Sequence, residues 1–233
     1  MSTKRSKRYQ EAAKLVIPNK NYSITEAVET MKSFPAPKFD PTVTVSFHLT
    51  VDPRKSDQMV RGSVSLPNGT GKNVRVLVFA QGDAAKAAQE AGAEFVGFED
   101  LIQKVQGGFV DFDTAIATPD ALTEVRKVAR VLGPRGLMPT PKTGTVTDDT
   151  AKAVKEVKAG RVDYKVDKNA NISAAVGKLS FSNESIAENI AALIDSVVKA
   201  RPASAKGAYI ESVTVSCAMC PGLPVDTASI AKL

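Results

Sequence analysis

Histidine, cysteine and long apolar runs are nearly missing from this chain. Its 233 residues include one histidine, His48, and two cysteines, Cys217 and Cys220. A single imidazole leaves little general-base material, and neither a G-x-S-x-G turn nor a paired-carboxylate signature makes up for it. No catalytic residues are expected, and the chain does not read as an enzyme. Two cysteines exclude a disulfide framework and suit a reducing compartment. The longest apolar run, Val74 to Ala80, is interrupted by Arg75 and is too short to span a bilayer, so no membrane association is expected. The opening Met1-Ser-Thr-Lys-Arg-Ser-Lys-Arg8 carries charge with no apolar stretch behind it, unlike a secretion signal. The expected location is the cytoplasm.

The charge that is present is unevenly placed. The net charge is +6. Residues 1–67 hold eleven Lys/Arg against six Asp/Glu, residues 68–160 hold twelve of each, and residues 161–233 hold eight against seven. All of the excess positive charge therefore lies toward the two ends. Basic termini can be plain solvated tails, but an excess of this kind also displaces counterions from a polyanion.

Hydrophobic periodicity changes along the chain in the same way. Residues 8–17 read as an amphipathic helix stopped at Pro18, and Ser23-Ile-Thr-Glu26 as a capping box opening a helix to about Ser33. Thr42 to Thr50 alternates, with Val43, Val45, Phe47 and Leu49 on one side and Thr44, Ser46 and His48 on the other, as in a sheet strand with one face buried. After Leu66-Pro-Asn-Gly-Thr-Gly71 the strands become continuous apolar runs (73–80, 94–98, 113–118) separated by helices, the last reaching from Pro119 to Leu132. Continuous apolar strands alternating with helices predict a small parallel α/β domain. After Gly160 alternation returns at Arg161 to Asp167, and a turn at Lys168 to Asn171 leads into Ile172 to Val176. A long helix then runs from about Glu184 to Ala200, and a last strand from Ala208 to Ser216. The expected fold is a split α+β domain built by both chain ends, residues 1–67 and 161–233. A Rossmann-like α/β domain, residues 68–160, is inserted between them, with crossings near 66–72 and 158–162 acting as a double hinge.

The candidate motifs each have a plain alternative. Asn68-Gly-Thr-Gly-Lys72 resembles a phosphate loop, but its glycine spacing is wrong and Asn73 stands where a Ser/Thr would hold magnesium. No G-x-G-x-x-G follows the 73–80 strand either, so no cofactor is expected. Leu132 to Thr145 contains three prolines, three glycines and two cations. It is either a packed connection or a loop that touches phosphate or a partner. Cys217-Ala-Met-Cys220 has C-x-x-C spacing, but a structural zinc needs four ligands and only His48 is left to help, so no metal site is expected. The thiol or zinc module and the cofactor-binding α/β enzyme stand as the alternative readings. A half-open sheet can instead bind RNA by stacking side chains on bases beside cations that hold phosphates. Lys38-Phe39 and Tyr164-Lys165 are candidate pairs for that role, or else core aromatics beside surface lysines.

Several longer strings stand out: Lys38-Phe-Asp40, Asp52-Pro-Arg-Lys-Ser-Asp-Gln-Met-Val-Arg-Gly62, Val64-Ser-Leu-Pro67 and Gly69-Thr-Gly-Lys72. More specific still are Arg130-Val-Leu-Gly-Pro-Arg-Gly-Leu-Met-Pro139 and Pro141-Lys-Thr-Gly-Thr-Val146, followed by Lys158-Ala-Gly-Arg161, Gly177-Lys178 and Lys206-Gly207. In these strings the chain resembles the ribosomal large-subunit protein L-one family along almost its whole length. The resemblance implies a split domain with a Rossmann-like insertion, and binding to the rRNA of the mobile stalk beside the tRNA exit site. It also implies help in releasing deacylated tRNA, repression of the protein's own messenger RNA, and a monomer when off the ribosome. RNA-binding positions matching the family are Lys38, Phe39, Thr42, Arg54, Tyr164, Lys165, Asp167, Lys168, Ser216, Ala218, Met219, Cys220 and Pro221. Where the family usually reads Ser/Thr-Thr-Met-Gly-Pro-Gly, this chain reads Cys217-Ala-Met-Cys-Pro-Gly222. It lacks a hydroxyl at Ala218 and gains a side chain at Cys220.

Overall fold

The computed structural model describes residues 5–205 and 207–227. The first four residues of the basic amino terminus, and Lys206 of the Lys206-Gly207 pair, lie outside the described residues. The chain forms two compact units, one from the described parts of Met1–Gly71 and Val162–Leu233, the other from Lys72–Arg161. The fold is mixed α/β and α+β, as the alternation of strand types implies.

The first segment opens with α1 (Lys7–Lys14), capped by the Ser6 hydroxyl, and ends one turn earlier than the apolar pattern suggests. In α2 (Ile24–Lys32) both halves of the capping box form: Ser23 Oγ accepts from the Glu26 amide and the Glu26 carboxylate accepts from the Ser23 amide. Strand β1 (Thr42–Leu49) alternates between buried and half-buried residues along its whole length, and β2 (Arg61–Ser65) follows.

The chain then enters the second unit, where β3 (Val76–Phe79) is buried at every position. It continues through α3 (Gly82–Glu90), β4 (Phe95–Gly97), α4 (Glu99–Gln106), β5 (Thr114–Ala117) and α5 (Pro119–Val125). Next come α6 (Ala129–Leu132) and α7 (Thr150–Lys158). β3 lies between β4 and β5, parallel to both, and carries one apolar cluster on each side. The helix expected to run to Leu132 is interrupted by a 3₁₀ turn at Arg126–Val128. Ala121, Val125, Val128 and Leu132 nevertheless remain buried in one cluster through the interruption.

On returning, the chain forms β6 (Arg161–Lys165), β7 (Asn171–Lys178), α8 (Asn183–Lys199), β8 (Ile210–Cys217) and β9 (Leu223–Val225). The main sheet has the order β7-β1-β8-β9, and β2 pairs with β6 in a second, two-stranded sheet. β9 was not legible in the sequence, because it is three residues long and contains Pro224. It pairs antiparallel with Val213 to Val215 as an edge strand, where a proline is tolerated. Val43, Val45 and Phe47 share one core with Val28 and Met31 of α2 and with Ile186, Ile190 and Leu193 of α8. The helices thus cover one face of the sheet.

Asn189 of α8 is fully buried. Its Nδ2 donates to Val176 O at 2.7 Å and Gly69 O at 3.0 Å, and its Oδ1 accepts from the Asn68 amide at 3.1 Å. The Asn68-Gly-Thr-Gly-Lys72 segment is therefore pinned to α8. Gly71 within it has φ +67°, and a Cβ there would sit 2.9 Å from the Phe181 ring. Asn189→Ala strands one amide and two carbonyls, so we expect a loss of about 2–4 kcal/mol of unfolding free energy. Chemical denaturation followed by a probe in the split unit measures it, and a loss below about 1 kcal/mol would contradict this accounting.

Candidate nucleic-acid interface

The face of the main sheet away from the helices is built of small polar residues. Thr42, Thr44, Ser46 and His48 of β1 stand there, paired with Lys178, Ala175, Ser173 and Asn171 of β7. On the other side of β1, Thr44, Ser46 and His48 face Ser216, Thr214 and Ser212 of β8. Neighbouring groups are already ordered: Ser46 and Ser173 hydroxyls are 2.9 Å apart, and Lys178 Nζ donates to Thr42 Oγ1 at 3.0 Å. His48 Nδ1 lies 2.7 Å from Asn171 Oδ1, and its Nε2 lies 3.4 Å from Glu211. Lys178, Ser46, Ser173, Ser212 and Thr214 were not among the RNA-binding positions expected from the sequence. Their alternation was readable, but which strands lie side by side was not.

The thirteen sequence-derived positions fall into two groups, at opposite ends of β1. β1, eight residues long, itself spans about 24 Å. The first contains Lys38, Phe39, Thr42, Ser216, Ala218, Met219, Cys220 and Pro221. Phe39 is 47% exposed and Met219 is 69% exposed. The Ala218 amide donates to Thr42 O at 3.0 Å, which fixes the loop after β8 against the start of β1. A tight turn follows, closed by the Cys220 amide donating to Cys217 O at 3.0 Å. Met219 sits in that turn at φ 63°, a left-handed conformation that costs a residue with a Cβ about 1–2 kcal/mol. Arg8 holds it there: its guanidinium donates to Met219 O at 3.0 Å and to Pro35 O at 3.4 Å. The strained turn is thus held by a long-range bond while the Met219 side chain projects into solvent. Arg8 was missed in the sequence because nothing local distinguishes it from its basic neighbours.

The departures from the family pattern fit into this loop without disruption. Cys220 is not among the residues of positive φ, so its side chain adds no backbone strain. It packs half-buried against the core of the split unit. Cys217 is buried, and burial first, then the hydrogen bond its own thiol donates to Cys220, pushes that thiol up to about 12. A thiol so placed is protonated at neutral pH, the opposite of a nucleophilic cysteine.

The second group contains Arg54, Tyr164, Lys165, Asp167 and Lys168. Tyr164 does not suit the stacking role considered for it. Its ring is 4% exposed, and its hydroxyl lies 2.9 Å from Ser196 Oγ and 3.1 Å from Ser196 O. Gly62 packs so close that a Cβ would lie 2.7 Å from the Tyr164 hydroxyl. Tyr164 is thus a core residue that supports its exposed neighbour Lys165. Asp167 organises a turn, accepting from the amides of Asn169 and Asn171 at 2.8 Å each and from Asn171 Nδ2 at 3.4 Å.

Ion pairing separates the two units. All but two of the ion pairs among the described residues lie in the inserted unit, where Lys72, Arg75, Lys127, Lys158 and Arg161 each meet a carboxylate. In the split unit Lys20–Glu26 and His48–Glu211 do so. Lys38, Arg54, Lys165 and Lys168 are exposed and take part in none of these pairs. In the inserted unit, Leu137 and Met138 of the proline-rich loop pack against the local core, and Thr140, Thr143 and Thr145 bond one another. Most of that loop is a packed connection, leaving Arg135 exposed at its tip.

A discontinuous α+β unit with one helix-free sheet face, uncommitted cations at its ends and an inserted parallel α/β unit is an architecture suited to a polyanion partner. Comparison with known proteins gives the family. The model of the Ribosomal protein L1p/L10e family matches residues 29–221, and the chain belongs to that family. It is 55% identical over 224 residues to the large ribosomal subunit protein uL1 of Corynebacterium kroppenstedtii, covering 96% of this chain and 94% of that one. The protein of the same name from Bifidobacterium animalis subsp. lactis is 56% identical over 227 residues, covering 97% and 99%. That from Bifidobacterium longum subsp. infantis is 54% identical over 228 residues, covering 98% and 99%.

The Asp167 turn has a pH signature. Its hydrogen bonds, the Asn171 amide first, hold the carboxyl below the usual aspartate range. A depressed folded-state pKa means that the turn's stabilisation is complete above the ordinary aspartate value of about 3.9 and is lost as pH falls through the lower folded value. We expect the amide proton shifts of Asn169 and Asn171 to titrate together with a midpoint below about 3.9, and Asp167→Ala to abolish that step. A midpoint at or above the ordinary value would refute the assignment.

Proposed function

We propose that this chain is a structural constituent of the large ribosomal subunit in the cytoplasm, and that its split unit grips the rRNA of the mobile stalk near the tRNA exit site. The first statement follows from family membership and from the relatives' shared name. The RNA grip is supported most by one observation: two large apolar side chains, Phe39 and Met219, project into solvent at one end of the polar sheet face. Lys38 at one end and Arg54, Lys165 and Lys168 at the other take part in none of the ion pairs among the described residues. Apolar groups that stack on splayed bases, with lysines and arginines on phosphates, are how proteins hold looped RNA. Release of deacylated tRNA and repression of the chain's own messenger RNA extend the same reading, on the strength of the family resemblance. A stalk-like element in the messenger would use the same surface.

Binding of the whole chain to a stalk rRNA fragment, measured across salt concentrations, tests the grip. Each phosphate contact contributes roughly 0.7–0.9 to the slope of log K against log salt. Lys38→Gln should reduce the slope by about that amount. Phe39→Ala should weaken binding at every salt concentration with the slope unchanged, because it removes stacking rather than charge. A large slope change in Phe39→Ala would remove the basis for assigning these roles.

The loop after β8 gives a second expectation. Ala218 cannot supply a hydroxyl, and one neutral hydrogen bond is worth about 0.5–1.5 kcal/mol, up to roughly tenfold in affinity. Ala218→Thr combined with Cys220→Gly should tighten RNA binding by about that factor, and Cys217→Ser should leave affinity nearly unchanged. Binding by the unaltered chain should also vary less than about tenfold between reducing, oxidising and zinc-containing buffers. A larger change would make the two thiols a functional pair.

A further inference from the structure

Cys217 and Cys220 stand at the two ends of the turn that follows β8, and the RNA-binding reading needs neither thiol. We propose that they form a hydroperoxide-sensitive pair, in which Cys220 is oxidised first and Cys217 then closes a reversible disulfide with it. The inference does not depend on what the loop binds.

The backbone already has the shape that the bond requires. The Cys220 amide donates to Cys217 O at 3.0 Å, so the two are the first and last residues of a β-turn. Such a turn brings its end Cα atoms within about 7 Å, and a disulfide spans about 4.4–6.8 Å. The side chains meet as well. The Cys217 thiol donates a hydrogen bond to Cys220, and Cys220 packs on the same apolar cluster that contains Cys217. Met219 holds the left-handed φ of 63° inside the turn, and Arg8 bonds its carbonyl. Closing the disulfide therefore leaves the turn nearly as it is, in line with an RNA affinity that varies less than about tenfold between reducing and oxidising buffers.

Unequal exposure sets the order of reaction. Cys220 is half-buried and open to a small oxidant, whereas Cys217 is 3% exposed. The guanidinium of Arg8, on the neighbouring Met219 carbonyl, adds positive charge beside the pair, which favours a thiolate. A hydroperoxide transfers one oxygen to the Cys220 sulfur, giving a sulfenic acid and releasing water or an alcohol. The Cys217 sulfur then attacks the Cys220 sulfur. The S–O bond breaks, the oxygen leaves as water with the Cys217 proton, and the S–S bond forms. The hydroperoxide accepts two electrons, one from each thiol. Burial keeps Cys217 protonated, so the second step relies on the two sulfurs being held side by side. A low-molecular-weight thiol reverses the bond by exchange, which makes it transient in a reducing compartment. Without Cys217, Cys220 would continue to sulfinic and sulfonic acids, which a thiol does not reverse.

The test treats the full reduced chain with hydrogen peroxide and follows intact mass and free thiols, beside Cys217→Ser and Cys220→Ser. The unaltered chain should lose both thiols together with two hydrogens, remain a single chain, and recover completely with glutathione. Cys217→Ser should instead gain oxygens at Cys220 and fail to recover. Cys220→Ser should keep its buried thiol at peroxide doses that close the pair in the unaltered chain. The unaltered chain decides the matter even where a variant folds poorly. Oxygen added to its Cys220 while Cys217 stays free overturns the inference, and so does a disulfide between two chains. Survival of both thiols under peroxide that oxidises glutathione in the same solution overturns it too.

Discussion

The main sheet depends on the placement of β1 between β7 and β8, antiparallel to both. A strand from the first segment of the chain thus has both its neighbours in the last segment, and the two-stranded sheet of β2 and β6 repeats the arrangement. Neither end of the chain can complete a core alone. Phe47 of β1, fully buried, needs α8 to cover it, and α8 follows the whole inserted unit. The interleaving also decides where function can lie. Helices α2 and α8 occupy one face, the other keeps its hydroxyls, and each end of the sheet gathers loops from distant parts of the chain.

Local backbone chemistry holds those loops in place. Asn189 satisfies the chain where it leaves the split unit, and Arg8 reaches across to fix the carbonyl of a strained methionine. Asp52 and Asp167 turn their own segments by accepting nearby amides. Side chains such as Phe39, Met219 and Lys165 are therefore displayed on a frame that does not have to be ordered when a partner arrives, which lowers the entropic cost of binding.

Charge follows the same division. In the inserted unit Lys72, Arg75, Lys86, Lys127, Lys158 and Arg161 meet carboxylates, and residues 68–160 sum to zero. In the split unit several lysines and arginines stand without such partners, so their field remains available to a polyanion. A small net charge of +6 therefore understates how strongly one part of the chain is suited to RNA.

By itself the sequence determined the type and order of most elements, because these follow from local rules, although β2 and α7 were not read from it. Period-two alternation marked β1, continuous apolar runs marked β3 and β5, and the Ser23–Glu26 box marked the start of α2. Motif strings also carried the family. Tertiary structure alone decided the strand neighbours, the short edge strand β9 and the 3₁₀ interruption at Arg126–Val128. It also decided which candidate residues face solvent. Tyr164 and Phe39 are both aromatic residues beside a lysine, yet one is buried under Ser196 and Gly62 while the other is exposed. The contacts of Arg8 were equally invisible, since they join residues far apart in the chain. Local propensity reads a residue's own few neighbours; accessibility and long-range partners are set only when distant segments pack together.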